Sequence, residues 1–214
     1  MKSTDWRKLP DEWKTNLMVS LRFQEEQTDS NTIQKAFAQK ANTSPLEAYV
    51  SIFGDEISAP LWPDTMFLHN LLQLRRIYLQ NADIDTLFPL MYFPLLEELY
   101  ISHTPIDSLE SLMLNNSIRV LHIDHTYIDE LMPLSSMQLE EFSAKDTDIS
   151  ELAPLRNQHT LKKLDLRETS IDSLMMLYEL SNLEELYISQ ETVSQQEINA
   201  FRKSHPDCKL IIED

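Results

Sequence analysis

The sequence predicts an α/β solenoid in which each repeat adds one short strand to a continuous parallel sheet. Two observations carry this prediction. From Leu74 onward the 214-residue chain repeats itself, and six consecutive units begin 22, 22, 21, 22 and 22 residues apart. Each unit also fits the pattern L-x-x-L-x-L-x-x-T-x-I-x-x-L-x-x-L. One long amphipathic helix is excluded, because the apolar spacing follows neither 3.6 nor 3.5 residues and prolines recur between the strands.

The strand of each unit is predicted from the apolar residues at its fourth and sixth positions, which enclose one outward side chain. One such strand cannot bury its apolar face alone, so the stacked units share one long core beneath a concave sheet. The convex segments that follow are short and begin with pairs such as Ile-Asp, which predicts single helical or 3₁₀ turns. The strand pairs are Ile77/Leu79, Leu99/Ile101, Leu121/Ile123, Phe142/Ala144, Leu164/Leu166 and Leu186/Ile188.

These six units resemble the leucine-rich repeat family, in its short bacterial, internalin-like class. The resemblance covers about residues 46–214 and implies a right-handed solenoid that binds proteins on its concave face without a cofactor. Family members usually carry asparagine at the ninth position, where the amide bonds the backbone of neighbouring units. We expect the threonines found here instead to form a ladder of backbone hydrogen bonds along the stack, a structural role and not a catalytic one. The ninth positions are Ala82, Thr104, Thr126, Thr147, Thr169 and Glu191.

The chain is expected to divide into four segments, because the end repeats of a solenoid need caps over their exposed core. These are a helical N-terminal cap (1–45), an irregular first repeat (46–73), six regular repeats (74–193) and a C-terminal cap (194–214). In the irregular repeat, Val50, Ile52 and Ile57 are expected at strand and turn positions.

Helical spacing supports both caps. Pro10 suits a first turn, and Trp13, Leu17 and Leu21 then recur every four residues. A second helix is predicted over Ser30–Lys40. At the other end we expect a helix around Gln195–Lys203, a turn and a last strand at Lys209–Ile212. Cys208 is expected to be a packed cap residue, with a reactive thiol as the alternative.

Charge and composition restrict the function. Eighteen lysines and arginines face 35 acidic residues, a net charge of −17, which disfavours nucleic acid and anionic membranes and favours a partner with a basic surface. The single glycine, Gly54, leaves no phosphate-binding or nucleophile-elbow motif, and we expect the repeat turns to need few left-handed residues. The N-terminus lacks a signal sequence and no stretch could span a membrane, so we predict a cytoplasmic protein.

The outward side chains of the predicted sheet are the candidate binding residues. The middle positions of the first three strands carry Tyr78, Tyr100 and His122, which should stack as an aromatic ridge because adjacent strands lie about 4.8 Å apart. Asp165 and Tyr187 continue this row. The flanking candidates are Arg76, Lys145, Lys163 and Arg167, the last three expected to form a basic patch. A solvated sheet face with paired charges is the competing interpretation.

Catalytic and metal-binding functions have weaker support. His103 and His125 share a repeat position, and His122 and Asp124 lie on the same strand, but these residues should lie on an open edge. No metal site is therefore expected. Acidic pairs recur at equivalent repeat positions, which indicates duplication and solubility more than an acid–base dyad.

The sequence therefore favours a non-enzymatic protein-interaction module. A regulatory subunit, or an inhibitor or immunity-type protein acting on an enzyme or toxin, is the first alternative. A protein that binds a metal or small ligand is the second. The oligomeric state is left open.

Overall fold

Seven parallel strands form one open sheet in a computed structural model that describes residues 1–38, 43–54, 63–190 and 193–213. The strands follow one another in sequence order, and each pairs in register with the next. The predicted α/β solenoid with one parallel sheet is confirmed. The strands are β1 (Arg76–Tyr78), β2 (Glu98–Tyr100), β3 (Val120–His122), β4 (Glu141–Ser143), β5 (Lys163–Leu166), β6 (Glu185–Ser189) and β7 (Lys209–Glu213).

The repeat leucines and isoleucines make one continuous core under the sheet. The predicted strand pairs are fully buried, as are the first-position residues from Leu74 to Leu161. Because stacked repeats leave no gap between their apolar layers, truncating one of these leucines or isoleucines to alanine would cost about 2–5 kcal/mol. The core therefore fixes the direction of every outward side chain on the sheet.

In the described part of the chain, the convex side contains five short 3₁₀ turns, as predicted. A proline at the first or second position of three of them supplies the fixed φ angle that starts the turn, and its missing N–H needs no partner there. Longer helices do not fit, since the next strand begins within about ten residues. The turns span Phe88–Tyr92, Glu110–Leu112, Met132–Leu134, Ala153–Leu155 and Met175–Leu177.

The ninth-position threonines act within their own repeat. The Thr104 hydroxyl donates to the carbonyl oxygen of Ile101 at 2.7 Å, and Thr126, Thr147 and Thr169 repeat this bond at the same distance. All four are buried. The expected ladder between neighbouring units is therefore wrong, because each hydroxyl reaches the carbonyl three residues back, at the end of its own strand. Glu191 lies outside the described residues.

The turns after β1 to β5 each use a left-handed residue, contrary to the expectation from the missing glycines. The φ angles at the eighth repeat position lie between 52° and 58°. Asparagine, aspartate and histidine tolerate this region better than other side chains, which explains most of the column. The residues are Asn81, His103, His125, Asp146 and Glu168. Gly54 instead ends a helix, with φ of 76°.

Among the described residues, five helices precede the first strand: α1 (Ser3–Lys8), α2 (Asp11–Glu25), α3 (Ser30–Ala38), α4 (Pro45–Phe53) and α5 (Thr65–Leu71). The α1 helix was not predicted, and α2 begins one residue after Pro10. Trp13, Leu17 and Leu21 close the end of the repeat core, as their spacing indicated.

The strand predicted over Val50 and Ile52 is wrong, because both residues lie on α4. The Ser44 side chain accepts from the Glu47 N–H, Glu47 bonds back to Ser44, and Pro45 occupies the first turn. This start signal outweighs the apolar alternation that suggested a strand. Ile57, the third residue of that prediction, lies outside the described residues.

The C-terminal elements match their predictions. Helix α6 spans Gln195–Ser204, begins at an Ser194 cap and leads into β7. Cys208 is half-buried against the core, and burial raises the pKa of its thiol to about 11. A thiol of that pKa is protonated at neutral pH and is a poor nucleophile.

Candidate functional site

The outward middle residues of the strands line up across the sheet in the predicted order. We call this set the concave row: Tyr78, Tyr100, His122, Ser143, Asp165, Tyr187 and Ile211. Its first members stack as expected. The rings of Tyr78 and Tyr100 are parallel with centroids 4.9 Å apart, and His122 meets Tyr100 edge-on at the same distance.

The two tyrosines are not exposed, however. Tyr78 is 0% and Tyr100 4% solvent-accessible. Helices α2, α3 and α4 cover them: the Phe23 ring meets Tyr78 edge-on at 5.5 Å, and Phe37 lies over it at 6.3 Å. Tyr49 on α4 belongs to the same cluster of buried side chains, which is separate from the repeat core. Tyr78 and Tyr100 therefore pack inside the protein and are not available for a partner, contrary to the prediction.

Helix α2 also closes the first edge of the sheet by hydrogen bonds. The Ser20 hydroxyl accepts from the Tyr78 N–H at 3.0 Å and donates to the Asn16 carbonyl at 2.8 Å. The Gln24 amide accepts from the Arg75 N–H at 2.9 Å and donates to the Gln73 carbonyl at 3.1 Å. Strand edges need such partners. The sequence reasoning missed both side chains, because serine and glutamine on a helix give no signal of this role.

Arg76 lies under the same cover. Its guanidinium donates to the Thr28 carbonyl at 2.9 Å. This predicted binding residue therefore anchors the loop that follows α2.

From β3 onward the row is partly exposed, except for the buried Asp165, and we call this part the open row. Glu141 is the centre of its first ion-pair group. His122 Nε2 lies 2.9 Å and Lys163 Nζ 3.2 Å from Glu141 Oε1. The hydrogen bond with His122 lowers the pKa of Glu141 from its ordinary 4.5 to about 2, and Lys163 adds to this against the opposing effect of burial. Glu141 is therefore ionised throughout the physiological range.

Arg167 is the centre of the second group. It holds both carboxylate oxygens of Asp165, with Nε 2.9 Å from Oδ1, and reaches Glu213 on β7. The hydrogen bond to Asp165 raises the pKa of Arg167. Its guanidinium carbon lies 5.1 Å from the centre of the Tyr187 ring, and the Tyr187 hydroxyl donates to Glu185 at 2.8 Å. Tyr187 is thereby held by its face and by its hydroxyl.

The predicted basic patch is consequently neutralised. Lys145 pairs with Glu168 at 2.9 Å, Lys163 with Glu141, and Arg167 with Asp165 and Glu213. The structure brings the three cations onto one face, as predicted, but each already has an acidic neighbour. The open row therefore presents alternating charges.

Asp124 lies between these groups and lines a concavity of about 270 Å³ with His122, Glu141 and Lys145. Its carboxylate accepts from the hydroxyls of Ser102 and Ser143 and from the Lys145 N–H. These bonds hold the carboxylate in the protein's own network. Asp124 was considered as a metal ligand, and its oxygens are used here for hydrogen bonds.

His103 and His125 are neighbours, as their repeat position predicted, but they lie on the turn side. Their rings stack at 4.1 Å, and His125 Nδ1 lies 2.6 Å from Asp146. Burial lowers the pKa of His103, and the charge of His125 adds to this effect. Among the described residues, no group of three or more His, Cys, Asp or Glu side chains could hold a metal ion.

Two buried amides on the convex side were also missed. The Asn115 amide donates to the Phe93 carbonyl at 3.1 Å, and Gln158 bonds the Leu139 N–H at 2.8 Å and the Leu134 carbonyl at 2.7 Å. They occupy the repeat position where other units carry Phe93 or Leu180, so a break in that apolar column could have indicated them.

No protein-family model and no curated protein matches this sequence. Solved structures do match. Internalin C2 from Listeria monocytogenes has 22% sequence identity and a TM-score of 0.59, covering 69% of this chain and 67% of that protein. A leucine-rich repeat protein from Leptospira interrogans has 19% identity and a TM-score of 0.60, covering 69% of this chain and 39% of that protein.

A second internalin from Listeria monocytogenes has 15% identity and a TM-score of 0.56, covering 84% of this chain and 57% of that protein. This chain thus spans well under two thirds of the length of two of these three proteins. At such identities the likeness establishes the leucine-rich repeat fold and confirms the resemblance stated from the repeats. Among the described residues, no helix is long and apolar enough to cross a membrane.

Proposed function

We propose that this protein is a non-enzymatic interaction module that binds a protein partner on the open part of the concave row, from β3 to β7. The partner-contacting residues are His122 and Tyr187, with Lys145, Lys163 and Arg167 beside them. Asp165, also a predicted contact, is buried and instead holds Arg167 in place. The single observation that carries the proposal is the fixed Tyr187, held between Arg167 and Glu185 on an open sheet face.

This arrangement suits protein recognition for two reasons. Tyrosine provides a large apolar area with a polar tip, and holding it in one rotamer reduces the entropy that binding would otherwise cost. The alternating charges are also pre-oriented, so they discriminate between partners by complementarity. Tyr78 and Tyr100 are left out of the proposed surface, because the protein's own helices cover them.

The network also favours binding over catalysis. The acidic groups of the open row accept hydrogen bonds from neighbouring serine, lysine and arginine side chains, and such paired charges suit complementarity with a partner's surface. The net charge of −17 repels the phosphates of nucleic acids and of anionic lipids, so a protein is favoured as the partner over nucleic acid or an anionic membrane. A cytoplasmic location remains a prediction that cell fractionation tests.

The test is affinity capture from the native cell with four baits. Wild-type protein, Tyr187→Ala and Lys163→Glu probe the open row, and Arg156→Glu is the matched control. Arg156 forms an ion pair with Glu179 at 2.8 Å on the convex side, so its reversal breaks a similar pair elsewhere. We expect the two open-row variants to lose a protein that the wild type and Arg156→Glu both retain. Equal capture by all four baits would contradict the proposal.

A further inference from the structure

Large apolar side chains are exposed in columns on the convex side of the first three repeats. Exposure ranges from 37% for Leu95 to 82% for Leu114. Single exposed apolar residues are ordinary on protein surfaces, whereas a contiguous group of several hundred Å² marks an interaction site. We call the following group the methionine ridge: Phe88, Met91, Leu95, Met113, Leu114 and Met132.

The repeat geometry makes these residues neighbours. Phe88 and Met91 are three residues apart in one 3₁₀ turn, which places them on the same side of it. Met132 has the same repeat position as Phe88, and Met113 has that of Met91. Because β1, β2 and β3 pair in register, equivalent positions stack in columns from one repeat to the next.

The ridge ends after the third repeat. At the two equivalent positions, the fourth repeat has Ala153 and Arg156, and the Arg156–Glu179 ion pair interrupts the apolar surface. The fifth repeat has one exposed methionine, Met175, at 64% exposure. Met175 is therefore chemically equivalent to the ridge methionines but separated from them.

Acidic side chains lie in the segments that lead into the ridge, and among the described residues they form no ion pair with a lysine or arginine. Arg119 is the only lysine or arginine between Arg76 and Lys145 in the sequence. Within the described ranges, the acids beside the ridge are exposed, and none forms an ion pair with a lysine or arginine. They are Asp83, Asp85, Asp107, Glu110, Asp129 and Glu130.

The contrast with the sheet face is informative. There, each lysine or arginine of the open row has an acidic neighbour, and the charges cancel locally. Beside the ridge, six acids form no ion pair with a lysine or arginine of the described residues, so negative charge that contributes to the net −17 lies next to an apolar surface. Such a surface attracts positive charge and apolar area together.

We propose that the methionine ridge docks the apolar face of a basic amphipathic helix. Methionine side chains are flexible and polarisable, so they adapt to leucine, isoleucine or phenylalanine on the partner. Lysines and arginines flanking the partner's apolar face would meet the acids of the segments that lead into the ridge. Glu110 lies between Phe88 and Met132 in their column and provides a negative charge within the ridge itself.

The proposal is tested with a synthetic, fluorescein-labelled helix of about 18 residues whose leucines follow the i, i+3, i+4, i+7 spacing and whose other positions are lysine and alanine. A peptide of the same composition in scrambled order has the same charge without an apolar face. A third peptide carries glutamate in place of lysine. Binding to the intact protein is measured by fluorescence anisotropy at low salt.

We expect the amphipathic basic peptide to bind at least tenfold more tightly than either control peptide. The double variant Met113→Gln/Leu114→Gln should weaken this binding about tenfold or more, whereas Met175→Gln should leave it unchanged. Asp107→Asn/Glu110→Gln should weaken it and reduce its dependence on salt. Equal binding of the scrambled peptide, or equal loss in Met175→Gln, would overturn the proposal.

Two alternative occupants of the methionine ridge, a lipid surface and a second copy of this chain, are tested by separate measurements. Binding to anionic or zwitterionic vesicles that Met113→Gln/Leu114→Gln abolishes would show a lipid surface and overturn the helix. Concentration-dependent dimers in sedimentation that the same variant abolishes would show a second copy of this chain instead. Tyr187→Ala should not change peptide binding, so failure of the concave-row proposal and failure of this one are distinguishable.

Discussion

The first two strands of the sheet and the last four carry the same repeat scaffold but different outward chemistry. On β1 and β2 the outward residues are aromatic, and three helices cover them. On β4 to β6 they are Ser143, Asp165 and Tyr187, and the charged side chains around them pair with one another, while β7 carries Ile211. Apolar outward side chains need a cover, whereas paired charges remain stable in water. The outward residue, and not the core, therefore decides which part of the sheet can meet a partner.

The largest predicted effect concerns the cover itself. Phe23→Ala removes a fully buried ring that contacts Tyr78, Tyr49 and Phe53, and should lower the free energy of unfolding by about 3–5 kcal/mol. Urea denaturation measures this loss. Tyr187→Ala, on the open part, is the control and should cost about 1 kcal/mol. If both variants lost the same amount, the distinction between covered and open strands would be wrong.

The next effect concerns the closed edge of the sheet. Ser20→Ala removes the acceptor of the Tyr78 N–H and should cost about 1–3 kcal/mol, since that N–H is buried. The Tyr78 amide should also exchange its hydrogen faster. Ser135, an exposed serine that donates to the Met132 carbonyl at 2.8 Å, is the control, and Ser135→Ala should change stability by less than about 0.5 kcal/mol. Unchanged exchange at Tyr78 would contradict this role.

Removing a ninth-position threonine hydroxyl should have a smaller effect on stability, and the effect should be the same in the covered and the open parts of the sheet. Thr104→Val and Thr169→Val each remove one buried hydroxyl while keeping the side-chain shape, and each should cost about 1 kcal/mol. Thr104 lies in the second repeat and Thr169 in the fifth, so they sample the two regions. Thermal unfolding of both variants provides the measurement. A clear difference between them would mean that the core, as well as the outward face, differs along the stack.

The smallest effect is a pH dependence in the open part. The pKa of Glu141 is lowered from 4.5 to about 2 in the folded protein, so its contribution is fully present above pH 4.5 and is lost as the pH falls toward 2. Glu141→Gln should therefore flatten the stability profile in this window, by on the order of 1 kcal/mol after solvent screening. Urea unfolding at pH 6, 4 and 3 provides the comparison, and parallel profiles for both proteins would contradict it.

Features shared by all repeats could be predicted from the sequence, whereas features that occur once in the chain could not. Strand register, 3₁₀ turns and the order of the concave row follow from a 22-residue period that six units share. Helix α4 was assigned as a strand, because Val50 and Ile52 alternate and the Ser44–Glu47 capping box was not recognised. The cover over Tyr78 depends on which face of α2 meets which surface. Val19 and Phe23 face the sheet, while Leu17 and Leu21 face the core, and helical spacing alone cannot separate the two.

The ion pairs between neighbouring strands could not be predicted from the sequence either. The positions of Lys145, Lys163 and Arg167 were right, but their acidic neighbours come from adjacent repeats and from β7. Predicting the pairing requires knowing which long side chains reach each other, and rotamers set that reach.

The column of left-handed residues has a consequence for how the chain folds. Each non-glycine residue in the left-handed backbone region costs about 1 kcal/mol, so the five together destabilise the folded chain by several kcal/mol. A single excised repeat has too little buried surface to hold that conformation and would relax. The repeats should therefore form together, with each new layer completing the turn of the layer before it, and unfolding should be cooperative along the stack.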